Sequence, residues 1–76
     1  MNQKSKSFRR IASNRVITPE GKSLTLQVIE LTEGCVTKLY PLRQEQPFTE
    51  WMQGQIELKR NPDGSVNAYY QGKPIN

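Results

Sequence analysis

The sequence predicts a small all-β domain: an antiparallel meander of about five strands that forms a curled sheet or a partly open barrel. Three observations carry this reading. Thr32-Glu33-Gly34 and Asn61-Pro62-Asp63-Gly64 are tight reversals set between β-type residues. The segments on either side of them alternate apolar and polar residues over strand lengths. The chain has 76 residues, of which 34 % are hydrophobic, enough for one domain with a thin core.

Residues 1–7 are polar and without period, and are expected to form a flexible basic tail ahead of a single domain over residues 8–76. From Phe8 to Thr18 the alternation is partial. Ile11 and Ile17 share a face with Arg9, Ser13 and Arg15, while Ala12 and Val16 share the other. That mixture suits an edge strand or a bulged one. Pro19-Glu20-Gly21-Lys22 is a turn. Leu24, Leu26 and Val28 then alternate with Thr25 and Gln27, but the phase slips at Ile29 and Leu31. Either a bulge lies near Val28-Ile29 or both faces are covered there.

After the Glu33-Gly34 reversal, residues 35–42 return antiparallel. Pro41 has no N–H, so it belongs at a strand end or on an open edge. Residues 43–50 are the longest connection. Residues 49–53 fit one helical turn, with Thr49 as N-cap and Gly54 as the stop, or equally an extended start to the next strand. Ile56 and Leu58 alternate with Gln55, Glu57 and Lys59. Residues 65–71 complete the second hairpin, with Val66, Ala68 and Tyr70 on one face and Asn67, Tyr69 and Gln71 on the other. Gly72-Lys73-Pro74 reads as a closing turn from which Ile75 tucks back. The expected core is Ile11, Val16, Leu24, Leu26, Val28, Val36, Leu39 or Tyr40, Leu42, Trp51, Ile56, Leu58, Val66, Ala68 and Tyr70.

Several chemistries are disfavoured. With no histidine, the chain lacks the commonest general base and the commonest metal ligand. Its single cysteine, Cys35, forms no internal disulfide and no thiolate–zinc site, and reads as a small buried thiol in a reducing compartment. Glu45 and Glu50, beside Arg43 and Trp51, are the best carboxylate pair for acid–base work, but carboxylates in a connection are ordinarily just solvated. Asn61-Pro62-Asp63-Gly64 is too short for a calcium loop. The glycines are isolated, so no phosphate loop exists. No cofactor and no enzymatic activity are expected.

The charge is uneven. Residues 1–22 carry six cations against Glu20 alone, a net +5, whereas residues 23–76 carry a net −1. A basic segment of this kind meets phosphate or simply aids solubility. Two binding readings follow. In one, the domain acts by self-association, as a homodimer, or by holding a protein partner through the aromatic connection at Phe48 and Trp51. In that reading Trp51 has a rival role, capping the open end of the sheet. In the other, nucleic acid meets Arg9, Arg10 and Arg15 and stacks on an outward tyrosine. Tyr69 and Tyr70 are adjacent in a strand, so one of them faces away from the core, and Tyr40 is a further candidate. The run Arg9-Arg10-Ile11-Ala12-Ser13 also has the form of a basophilic kinase site. No apolar run approaches the roughly 18 residues of a membrane span, and no apolar segment follows the N-terminal charges as in a secretory signal. A cytoplasmic protein is the expectation.

The stretch from Val28 to Val36 (Val-Ile-Glu-Leu-Thr-Glu-Gly-Cys-Val), then Tyr40-Pro41-Leu42, then Pro47-Phe-Thr-Glu-Trp-Met-Gln-Gly54 before Ile56-Glu57-Leu58, resembles small uncharacterised all-β proteins of Bacteroides-type gut bacteria. The resemblance spans roughly residues 8–75. It implies a bacterial, stand-alone β-domain and brings no catalytic residue to any position.

Overall fold

The computed structural model describes residues 7–44 and 47–76. The tail expected over residues 1–7 lies, apart from Ser7, outside the described residues. Ser7 is already tied in: its carbonyl accepts the Glu33 N–H at 2.8 Å. Six strands follow in chain order: β1 (Phe8–Ile17), β2 (Ser23–Thr32), β3 (Cys35–Pro41), β4 (Glu50–Arg60), β5 (Val66–Tyr70) and β6 (Lys73–Pro74). They lie side by side as β3-β2-β1-β4-β5-β6, and β3 also meets β5 where Cys35 pairs with Asn67. That contact closes β1 to β5 into a barrel, the small all-β architecture expected from the sequence.

The reversals form where the turn chemistry places them. Glu33 and Gly34 take φ of 52° and 80°, the two-residue turn whose twist matches that of the flanking strands. In the second hairpin Gly64 N–H reaches the Asn61 carbonyl at 2.9 Å. The Asp63 carboxylate there accepts both the N–H and the hydroxyl of Ser65. Ile75 does tuck back: it is buried, and its N–H donates to the Ala68 carbonyl at 2.9 Å.

One pairing is of a kind that hairpin turns do not make. β1 and β4 run parallel, with Ala12 beside Trp51 and Val16 beside Ile56. β3 is antiparallel to β2, and β2 to β1, so β3 and β4 point the same way. Their connection must therefore cross the sheet rather than turn tightly. It crosses on the outer face. The Leu42 N–H docks on the Leu26 carbonyl at 2.9 Å, and the Pro47 carbonyl accepts from Arg10 Nη1 at 2.9 Å. Ala12 and Val28, neighbours across β1 and β2, are buried yet stand apart from the main core cluster. Both faces of the sheet are thus covered at Val28-Ile29, as one of the two expectations had it.

One register shift lies between β2 and β3 at Glu30-Leu31, where Thr37 is the extra residue. Irregularities in three adjacent strands line up at Leu26, Asn14 and Gly54. Leu26 takes φ of 50° between Thr25, which pairs with Arg15, and Gln27, which pairs with Ser13. On the other side of β1, Ser13 pairs with Met52 but Arg15 with Gln55, so Asn14 faces both Gln53 and Gly54. The Gly54 N–H donates to Asn14 Oδ1 at 2.8 Å, and Ser13 Oγ donates to the Gly54 carbonyl at 2.9 Å. A bulge strengthens local twist and bends the strand; the one at Gly54, next to the left-handed backbone of Leu26 across β1, bends the sheet at this level. The shift lets Ile11 and Val16, five positions apart, both reach the core.

The core cluster is Ile11, Val16, Ile29, Leu31, Ile56, Leu58, Ala68 and Ile75, with Val36, Leu39, Met52, Val66 and Tyr70 packed against it. Four expected members are corrected. Leu24 and Leu42 are only partly buried and lie outside the cluster. Leu26 is 48 % exposed because its left-handed backbone turns it out of the alternation, and Trp51 is 49 % exposed because it sits on the outer face beside Ala12. Ile29 and Leu31 take their places. Residues 50–53 are extended within β4, the alternative to a helical turn.

Candidate functional site

The outer face of β1 to β4 gathers the aromatic and cationic side chains. Directly paired residues of neighbouring strands share a face, so the register places them. One row runs Tyr40, Val28, Ala12, Trp51 across β3, β2, β1 and β4. The next runs Lys38, Glu30, Arg10. The Arg10 guanidinium lies 5.4 Å from the centre of the Phe8 ring, and Phe8 is half exposed. Phe48, on the connection that crosses this face, is 92 % exposed.

Glu30 sits at the centre of the face. Its side chain is mostly buried between the Tyr40 hydroxyl at 2.5 Å and Arg10 Nε at 3.1 Å. The Tyr40 hydrogen bond, with the Arg10 guanidinium behind it, holds the Glu30 carboxyl below the usual carboxylate range, against the opposing effect of burial. Burial and the same carboxylate push the Tyr40 phenol up. The sign of the linkage follows. A carboxyl with a depressed folded-state pKa stabilises the fold above the unfolded value of about 4.3, and that stability is lost as pH falls through the folded value. Urea midpoints of the wild type are therefore expected to drop between about pH 5 and about pH 3, and Glu30→Gln to give a lower midpoint near neutrality with a flatter acid limb. Parallel limbs in the two proteins would remove Glu30 from the explanation.

Arg9 is spent on structure. It holds Glu50 through two parallel bonds, Nε to Oε2 at 2.9 Å and Nη2 to Oε1 at 2.6 Å, and donates to the Asn76 carbonyl at 3.1 Å. This bidentate geometry lowers the Glu50 carboxyl, the Arg9 hydrogen bond being the main cause. A proton-holding Glu50 is therefore not what the geometry provides, and Glu45 lies outside the described residues. With Glu30 neutralised by Arg10, Lys38 and Arg43 supply the excess positive charge of this face.

Beside Trp51, Leu42, Arg43, Gln44 and Thr49 frame a cleft of about 380 Å³ over the sheet. Ala12 forms its floor, Trp51 and Leu42 its apolar walls, and Arg43, Gln44 and Thr49 its polar rim, with Glu50 adjoining. Arg43 and Gln44 make no hydrogen bond or ion pair among the described residues. The Trp51 indole N–H donates to Gln53 Oε1 at 3.2 Å, which leaves the ring face open.

Of the contact residues expected from the sequence, Arg10, Phe48 and Trp51 converge here. Arg9, Arg15 and Tyr69 do not. Arg9 shares the core-side face of β1 with Ile11 and is tied to Glu50 and to the Asn76 carbonyl. Arg15 lies beyond the bend, beside Gln55, and donates to Ser23 Oγ at 2.7 Å. Tyr69 faces outward on β5 with the Lys59 ammonium 5.1 Å from its ring centre, while Tyr70 packs on the core and donates to the Gln53 carbonyl. Ser13 is fully buried in mid-strand and bonded to Gly54, so a kinase cannot reach it in the folded chain. Cys35 is only half-buried, at the closing contact with β5.

Sequence reasoning missed the cleft, because it forms between a crossing connection and a sheet face rather than within a motif. The small Ala12 was the only local sign. Among the described residues no cluster of His, Cys, Asp or Glu is arranged to hold a metal ion, and no helix is long and apolar enough to cross a membrane. A search for similar proteins found no matching family model, no matching curated protein and no matching solved structure.

Proposed function

We propose that this chain is a non-catalytic binding domain whose ligand is single-stranded nucleic acid, taken on the outer face of β1 to β4. One observation carries the reading: Phe8, Phe48 and Trp51 are exposed around a face whose central carboxylate, Glu30, is held by Arg10 and the Tyr40 hydroxyl. Aromatic platforms beside unspent cations accept stacked bases and the phosphates between them. Here those cations are Lys38 and Arg43, and Lys4 and Lys6 precede β1 in the sequence. A cytoplasmic setting belongs to this reading, supported by the single free thiol.

The test is fluorescence anisotropy of a labelled oligothymidine titrated with the protein at several salt concentrations. Binding is expected to weaken with a log–log slope between about −1.4 and −2.8, corresponding to roughly two to four phosphates at about −0.7 each. The Lys38→Ala, Arg43→Ala double variant is expected to flatten that slope by about 1.4. No binding at low salt, or a slope the double variant leaves unchanged, overturns the reading.

Self-association is the second reading. Beyond Cys35, β3 has no further pairing with β5, and the cleft beside it is lined by the partly exposed Val36, Leu39 and Val66 over buried Leu58. Sedimentation equilibrium decides it: a concentration-dependent dimer supports it, and a monomer throughout ends it.

A further inference from the structure

We propose that the cleft over Ala12 seats a single nucleobase, stacked on the Trp51 indole, with the neighbouring phosphate on the Arg43 guanidinium. The inference rests on the nucleic-acid reading and assigns it a specific subsite. Three features of the cleft argue for this occupant over another.

The first is shape. A volume of about 380 Å³ lies at the small end of the roughly 300–1,000 Å³ typical of ligand pockets. The cleft suits one planar ring system and not a folded segment. The second is the wall. Trp51 is held by register against Ala12, and its indole N–H is already bonded to Gln53, so the side chain is oriented before any ligand arrives. About half its surface remains exposed, and it lines the cleft. An indole face is a stacking platform that every base can use.

The third is charge. Glu50 is the only carboxylate adjoining the cleft among the described residues, and Arg9 holds both of its oxygens. The unspent charge at the rim is therefore Arg43, and a guanidinium matches a phosphate through paired hydrogen bonds. Gln44 and Thr49 stand at the same rim, with donors and acceptors that can meet a base edge. An acidic partner protein would satisfy Arg43 alone, whereas a nucleotide satisfies Arg43 and the indole together.

Trp51 is the sole tryptophan, so its emission reports on the cleft and nothing else. The experiment titrates the full chain with oligothymidine and with an abasic deoxyribose-phosphate strand of equal length, following Trp51 emission and anisotropy together. Oligothymidine is expected to quench Trp51, and the abasic strand to bind about 5- to 150-fold more weakly without quenching, the usual effect of one stacked base. Trp51→Ala, checked for folding by circular dichroism, is expected to lose a similar factor for oligothymidine and none for the abasic strand. Trp51→Phe keeps part of it. Should Trp51→Ala fail to fold, Arg43→Ala serves instead, with the salt slope falling by about 0.7 while quenching persists.

Binding of oligothymidine with unchanged Trp51 emission overturns the subsite and leaves the wider reading standing. Equal quenching by the abasic strand also overturns it. Absence of binding by either strand overturns both. A shift of Trp51 emission with protein concentration alone would show a second copy seated in the cleft, and the subsite proposal fails.

Discussion

Ile56→Ala is expected to lower the thermal midpoint by at least about 10 °C. Ile56 is fully buried in the strand between β1 and β5, with Val16 of β1 on one side and Tyr70 of β5 on the other. Removing a buried isoleucine to alanine typically costs about 2–5 kcal/mol, through lost transfer energy and the cavity left behind. At roughly 0.05–0.15 kcal/mol per residue, a chain of this size has only about 4–11 kcal/mol in total. Each kcal/mol shifts the midpoint of so small a domain by about 4–8 °C. Ile56→Val, which leaves a smaller gap, should cost about 0.5–1.5 kcal/mol. Phe48→Ser is the control: the ring is 92 % exposed, and the midpoint should hardly move. Thermal melts of the three variants by circular dichroism make the comparison. An Ile56→Ala protein as stable as the Phe48→Ser control would mean that β4 does not lie between β1 and β5.

Gly54→Ala is the second large effect, and its cause is purely conformational. Gly54 takes φ of 105°, a backbone that L side chains avoid. A Cβ added there meets no atom within 4 Å, so crowding contributes nothing. The expected loss is about 1–3 kcal/mol of backbone strain. A D-alanine at position 54, introduced by chemical synthesis, prefers positive φ and should restore the wild-type midpoint. If L-alanine and D-alanine destabilise equally, the bulge is not what the substitution perturbs. Denaturant midpoints of the three chains separate these outcomes. The site matters because Gly54 is bonded on both sides, to Ser13 and Asn14, and that pair of contacts pins the bulge to β1.

These two residues mark what was readable in one dimension. Ile56 was legible: it alternates with Gln55 and Glu57 between turn signals, and period-2 patterning reports one buried face wherever a strand is regular. The reversal at Glu33-Gly34 was equally legible, because its positive φ angles favour glycine at the second position. The bulge at Gly54 was not. Its partner Asn14 is 40 positions away in the chain, and nothing local distinguishes it from a helix stop. The same bend turns Leu26 outward, so an alternation that looked continuous from Leu24 to Val28 changes face midway.

The candidate site was legible in kind and not in place. Exposed aromatics and arginines could be named, yet which of them meet depends on the parallel pairing of β1 with β4. That pairing brings Arg9 to Glu50 and Ala12 to Trp51, and leaves Arg15 and Tyr69 elsewhere.

By itself the sequence determined the all-β class, the positions of the hairpin reversals, and the apolar positions of the second hairpin. These rest on backbone preferences and side-chain alternation within a few residues of one another. Only the tertiary structure decided the parallel neighbour of β1, the bulge at Gly54 that meets the irregular backbone of Leu26 across β1, and the cleft under the crossing connection. Each of these depends on strands far apart in the chain meeting in register, and pairing energy is a property of two segments together rather than of either one alone.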